Sequence, residues 1–188
     1  MRHPNILTYV DAVESDKFIY LATEPVTPLL TYLENITDNE ETEMAVSWGL
    51  HQVVAGLSFL VNNCNLIHNN VCLSSIYVES SGEWKLAGLE YMFGEAEDPP
   101  VKVSHGLEKY DPPEKSGRQR SCKWSSDMWG LGCLIWEAFN GTMQSANALK
   151  KIGKIPKNLL PHWAELVSAN PVKRPNPEQF ITNCRERY

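Results

Sequence analysis

His68, Asn70 and Ser75, within the stretch LIHNNVCLSSIYV from Leu66 to Val78, have a spacing that looks like a catalytic loop, but their residue types cannot supply a base or hold a metal ion. The Asn70 amide has no basic site near neutral pH. The neutral Ser75 hydroxyl is a poor ligand for a hard dication, which prefers carboxylate and amide oxygens. His68 could titrate near neutrality, yet a histidine between a hydrophobic helix and a short strand is more often a packed core residue. The loop alone is a weak signal, so the elements around it must decide.

Composition limits the choices. The chain has 188 residues, 43% hydrophobic and 21% charged, enough for one domain with a real core. Its net charge of -6 gives no electrostatic support to a nucleic-acid or anionic-membrane partner. The densest basic run, Lys115 to Lys123 with Arg118 and Arg120, is brief, lacks interleaved aromatics and reads as a solvated loop. The five cysteines, Cys64, Cys72, Cys122, Cys133 and Cys184, are scattered and contain no CxxC pair. That argues against a disulfide framework or a zinc site and fits a reducing compartment. MRHPNILTYV is no signal peptide, so the sequons at Asn35 and Asn140 read as chance. LGCLIWEAF, Leu131 to Phe139, is interrupted by Glu137 and too short to span a bilayer, so no transmembrane segment is expected.

Taken in order, Ile6 to Glu14 and Lys17 to Glu24 read as two strands joined at Ser15-Asp16. Two strands alone rarely make a stable sheet, so the chain starts as if in the middle of something. Leu29 to Ile36 reads as a short helix. The acidic stretch Thr37 to Glu43 supplies caps and charge for a longer one. Val46, Leu50, Val53, Val54, Leu57, Leu60 and Val61 give that helix an apolar face, Gly49 and Gly56 imply close packing, and Asn62-Asn63 is expected to end it. The 66–78 stretch, a turn at Ser80-Ser81-Gly82 and a strand Glu83 to Tyr91 suggest a hairpin-like pair around an irregular loop. Phe93 to Ser121 shows no periodicity and reads as a long functional or mobile loop. Ser125 to Phe139, with serine capping candidates and apolar residues nearly all round, predicts a central buried helix stopped at Asn140-Gly141. Short helices are expected at Gln144 to Lys151, Leu159 to Val167 and Pro177 to Arg185.

Five signposts together resemble the protein kinases. His68 to Ser75 resembles their H-R-D-L-x-x-x-N loop, with Asn69 at the Arg and Asn70 at the catalytic Asp. Gly88-Leu89-Glu90 stands where D-F-G would, and Pro112-Pro113-Glu114 where A-P-E would. Ser126-Asp127-Met128-Trp129-Gly130-Leu131-Gly132 resembles D-x-W-x-x-G, and Arg174 in NPVKRPNPEQF matches the late arginine. SWGLHQVVAGLSFLVNNCNLIHNNVCLSS, GEWKLAGLEYM, KWSSDMWGLGCLIWEAFNG and GKIPKNLLPHWAELV narrow the resemblance to the Scy1-like family of pseudokinases, over essentially the whole chain.

The resemblance implies an α+β, mainly helical fold: a protein-kinase-like C-lobe over residues 25–188 and a two-stranded N-lobe remnant with hinge over 1–24. Residues 1–188 would then be an N-terminally truncated pseudokinase domain, since no glycine-rich loop and no V-A-I-K lysine precede it. It assigns structural roles to His68, Asp127 and a buried Glu114–Arg174 pair. The chemical positions Asn70, Ser75 and Gly88 are degenerate, and Glu24 and Val26 are a vestigial hinge that would have faced an adenine. Losing the base and both magnesium ligands implies no kinase activity, no metal and no cofactor, and Asn69 removes the arginine that would read a phosphorylated activation segment. The expected function is an interaction or scaffolding module with protein partners. By resemblance it serves COPI-linked Golgi-to-ER trafficking, in the cytoplasm near the Golgi. The alternatives are a nucleotide sensor or weak residual kinase in the full-length parent, or an inert fragment.

Overall fold

A computed structural model describes residues 1–102, 106–116 and 122–185. The fold is α+β and mainly helical, a kinase-like arrangement with five helices and small sheets among the described residues.

Strands β1 (Tyr9–Glu14) and β2 (Ile19–Thr23) form an antiparallel hairpin closed at Ser15, whose N–H donates to the Phe18 carbonyl at 2.8 Å. The first strand starts three residues later than the sequence suggested. Ile6 instead makes a parallel bridge to Leu86, and the Leu7 N–H donates to the Leu86 carbonyl at 2.9 Å. This backbone pairing ties the N-terminal residues to the rest of the domain. The hairpin itself is bare, with Val10, Phe18, Ile19 and Leu21 each about 60 to 70% exposed.

The second sheet orders β3 (Val26–Pro28), β5 (Ile76–Glu79) and β6 (Trp84–Leu86), all antiparallel. Helix α1 (Leu29–Glu34) follows β3 directly. Helix α2 (Asn39–Cys64) begins on Asp38, whose carboxylate accepts the Glu41 N–H at 3.0 Å, and Glu40 and Glu41 sit in its first turn. Its apolar stripe is buried at Val46, Leu50, Val53, Val54, Leu57 and Leu60, while Val61 is half-buried. It ends at Cys64 rather than at Asn62-Asn63, because Asn65 takes the left-handed conformation (φ 53°) that closes the last turn. Gly49 is required where α2 meets β6: a Cβ there would lie 2.0 Å from the Trp84 ring. Among the described residues α2 is the one helix long and apolar enough to cross a membrane, but 50% of its most apolar window is buried in this core.

The two-residue strand β4 (Leu66–Ile67) pairs with β7 (Phe93–Gly94), not with the strand that follows it. The strand expected over Glu83 to Tyr91 stops at Leu86, because Gly88 turns left-handed (φ 67°) and Leu89–Tyr91 form a 3-10 turn. Single 3-10 turns also occupy Glu108–Tyr110 and Pro113–Ser116 in the segment read as a loop. The rest of that expectation, Val103 to His105 and Gly117 to Ser121, lies outside the described residues, as do Arg118 and Arg120.

Helix α3 (Trp124–Asn140) crosses the centre, with Met128, Leu131, Cys133, Leu134 and Ile135 fully buried and Trp136 and Phe139 only half-buried. The serines do not cap it. Lys123 is the N-cap, and the Ser125 and Ser126 hydroxyls donate back to the Cys122 and Lys123 carbonyls at 2.7 and 2.9 Å. Gly141 (φ 83°) ends the helix. Ala146–Lys150 is a 3-10 turn, followed by α4 (Leu160–Leu166) and α5 (Pro177–Arg185). Asn176 and Gln179 cap α5 reciprocally, at 2.8 and 2.9 Å.

Candidate functional site

The 66–78 loop is held from α3. Asp127, in the first turn of that helix, accepts the backbone N–H of His68 at 2.8 Å and of Asn69 at 2.7 Å. Gly130, one turn on, lets the helix approach, since a Cβ there would sit 2.7 Å from the Val71 carbonyl. Burial raises the Asp127 carboxyl to about 6 against the opposing pull of its two N–H donors. His68 is fully buried. Its Nδ1 accepts the Asn70 N–H at 3.2 Å, which leaves Nε2–H to donate to the Ala87 carbonyl at 2.7 Å. Burial holds the ring neutral, with its pKa pushed down to about 4. His68 therefore works as a bracket between the loop and the residue before Gly88.

Asn70 and Ser75 both crowd Gly88. The Asn70 side-chain amide donates to the Gly88 carbonyl at 3.3 Å. A Cβ on Gly88 would lie 2.8 Å from the Asn70 amide nitrogen and 2.9 Å from the Ser75 Cβ. The Ser75 hydroxyl is buried and spent on the loop, donating to the Cys72 carbonyl at 2.9 Å and accepting the Cys72 N–H at 3.2 Å. Asn69 adopts φ 65°, which asparagine tolerates better than most residues, and its amide donates to the Tyr91 carbonyl at 3.2 Å. The Asn69, Asn70 and Ser75 side chains thus donate within the loop or to the turn beside it, while the His68 and Asn69 N–H groups face Asp127. Among the described residues no group of three or more His, Cys, Asp or Glu side chains could hold a metal ion.

Glu114 and Arg174 form a bidentate ion pair at 2.6 and 2.8 Å, with both side chains nearly solvent-free. Arg174 also donates to the Ser168 and Ser125 carbonyls and lies 5.0 Å over the Trp129 ring. Glu24 and Val26 are less tightly defined. The Glu24 carboxylate accepts the Thr8 N–H at 3.1 Å and lies 3.8 Å from Lys85, while half-buried Val26 pairs with Glu79 at the start of β3.

Two buried charges escape a reading by motif. Glu137, on α3, accepts the Tyr110 hydroxyl at 2.8 Å, the Met143 N–H at 3.0 Å and the Leu73 N–H at 3.5 Å. Burial raises both the Glu137 carboxyl and the Tyr110 hydroxyl above their ordinary ranges. Lys85, 7% exposed in β6, donates to the Pro4 carbonyl and lies 3.6 Å from Glu79. The only signal in the sequence for Glu137 was a charge interrupting an apolar helix.

A sheet-and-helix core with a loop bracketed from the central helix and a buried Glu–Arg clamp defines a kinase-like domain. The chain belongs to the protein kinase domain family, whose sequence profile matches residues 1–186. Within it the similarity is to Scy1-like proteins. The probable inactive serine/threonine-protein kinase scy1 of Dictyostelium discoideum is 39% identical over 189 residues, covering 96% of this chain and 23% of its own. The mouse protein-associating with the carboxyl-terminal domain of ezrin is 32% identical over 144 residues, covering 72% and 19%. The yeast protein kinase-like protein SCY1 is 28% identical over 173 residues, covering 75% and 20%. The chain thus spans about a fifth to a quarter of the length of these relatives.

Proposed function

We propose that this chain is a catalytically inactive kinase-like domain that works by binding other proteins. The observation that carries the reading is that the Asn70 amide is bonded to the Gly88 carbonyl and the Ser75 hydroxyl to the Cys72 backbone. Phosphoryl transfer is catalysed almost entirely by positioning and by metal-borne charge. Here the Asn70 and Ser75 side chains carry no charge and hydrogen-bond to the Gly88 and Cys72 carbonyls. The retained framework, Asp127 on the loop backbone and Glu114 on Arg174, supports a domain kept for its shape.

A mouse relative named for association with the carboxyl-terminal domain of ezrin supports a protein partner. The Scy1-like resemblance supports a finer reading, a role in COPI-linked Golgi-to-ER trafficking from the cytoplasmic side of the Golgi. Phosphate transfer to a generic protein substrate, assayed with magnesium and with chelator, tests the inactivity. The expected result is no magnesium-dependent signal, and transfer above the chelated control overturns the reading. Co-precipitation of coat subunits with the full-length protein tests the finer role, and loss of that association with an intact domain would remove it.

A further inference from the structure

Between residues 69–71 and residues 99–102 and 107–115 lies a cavity of about 580 Å³, within the range of small-molecule sites. Its walls are largely apolar, with Val71, Phe93, Pro100, Leu107 and Tyr110 among them. Neither Gly88, Ser75 nor Glu24 lines it. Its acidic groups are engaged. Asp111 pairs with Lys115 at 2.9 Å, Glu114 with Arg174, and Asp127 with two backbone N–H groups, while Glu108 accepts the Gly106 N–H at 3.0 Å. Of its cations, Lys115 is taken by Asp111 and Lys123 donates to the Glu97 carbonyl.

Lys102 differs. Among the described residues no carboxylate lies within ion-pair distance of its ammonium, which sits 6.0 Å from the centre of the Tyr91 ring. It is half-buried, and burial lowers its pKa from the ordinary lysine value. A partly desolvated cation beside an apolar cavity is relieved by an anion that brings its own apolar surface.

We propose that this cavity binds a small organic monocarboxylate with an apolar, ring-sized body, whose carboxylate pairs with Lys102 while the body packs on the apolar wall. With no described carboxylate in ion-pair contact, the Lys102 ammonium matches a single negative charge, and the Asp111 and Asp127 carboxylates that favour its charged form disfavour a phosphate dianion more than a monoanion. The cavity borders the degenerate loop at Asn69, Asn70 and Asp127 but excludes Ser75 and Gly88, so naphthoate binding neither requires nor excludes magnesium-dependent phosphate transfer.

The test is calorimetric titration with 1-naphthoate and its neutral counterpart 1-naphthamide, on the wild type, Lys102→Met and Lys102→Arg, with melting curves recorded for each. The expected result is saturable naphthoate binding, weaker by about tenfold or more for the amide and for K102M and largely kept by K102R. The amide comparison needs no variant, so it holds even if a substitution unfolds the chain. Absence of naphthoate binding to the wild type, equal binding of the amide, or full affinity in a folded K102M would each overturn the proposal.

Discussion

The Asn70 side chain donates a hydrogen bond to the Gly88 carbonyl across eighteen residues of sequence, at 3.3 Å. In an active kinase the residues at these two positions would face a hydroxyl and a magnesium ion. Here they face each other, and Ser75 completes the contact. The Asn70 and Ser75 side chains are both taken up in hydrogen bonding and packing around the turn, which makes the loop a structural element with its own stability.

Restoring a side chain at position 88 should therefore destabilise the domain. Gly88 sits at φ 67°, and any Cβ would meet Asn70 and Ser75 at under 3 Å. Gly88→Ala is expected to cost about 1 to 3 kcal/mol, read as a melting-temperature drop of about 2 to 4 °C per kcal/mol. An unchanged melt would mean that the turn has slack.

The Glu114–Arg174 clamp predicts a large and non-additive effect. Glu114→Ala leaves a buried guanidinium without its counter-ion and should cost about 3 to 5 kcal/mol in urea unfolding. In a double-mutant cycle with Arg174→Met, the pair should cost clearly less than the sum of the singles, because each single strands a charge. Additive losses would contradict the direct pairing.

His68 and Asp127 predict opposite pH slopes. His68 has a folded pKa of about 4, below its unfolded 6.5, so the unfolded state binds more protons between those values and its contribution to stability falls as pH drops. Asp127 has a folded pKa of about 6, above its unfolded 3.8, so the folded state binds more protons there and its contribution falls as pH rises. Each is worth at most about 3 kcal/mol, and the two largely cancel between pH 4 and 6. Replacing His68 by Asn should unmask the Asp127 slope, so that stability falls as pH rises through this window. The readout is the slope of unfolding free energy with pH, whatever the absolute loss, and an unaltered slope would show that His68 is not held neutral.

Tyr110→Phe removes the hydroxyl donor to buried Glu137 and should cost about 1.5 to 3 kcal/mol. Carrying the same substitution into Glu137→Gln should cost much less, since the carboxylate is then gone. Equal costs in the two backgrounds would place the Tyr110 hydroxyl elsewhere.

Local periodicity and capping made the helices legible, because each depends on neighbours within a turn. Helix α2 could be read from Val46 to Leu60, and α5 from its proline start. Errors fell where backbone conformation was decided by single residues. Asn65 in the left-handed region carried α2 two residues further, and Gly88 cut β6 short. The core contacts of the site were not legible by physics alone, since His68 to Asp127 and Glu114 to Arg174 each span about sixty residues and leave no local pattern. They were expected only through motif order. Glu137 has no such motif here, and its partners come from three separate segments, so only the three-dimensional arrangement reveals it.

The central claim is that the loop is packing rather than catalytic machinery, and a calorimetric melt with and without Mg-ATP tests it most directly. Nucleotide at a hundredfold above its dissociation constant would add about 2.7 kcal/mol, or about 5 to 10 °C for a domain of this size. We expect one cooperative transition, unmoved by Mg-ATP. A magnesium-dependent upward shift would show that the positions of Ser75 and Gly88 still serve a bound nucleotide and would contradict the account.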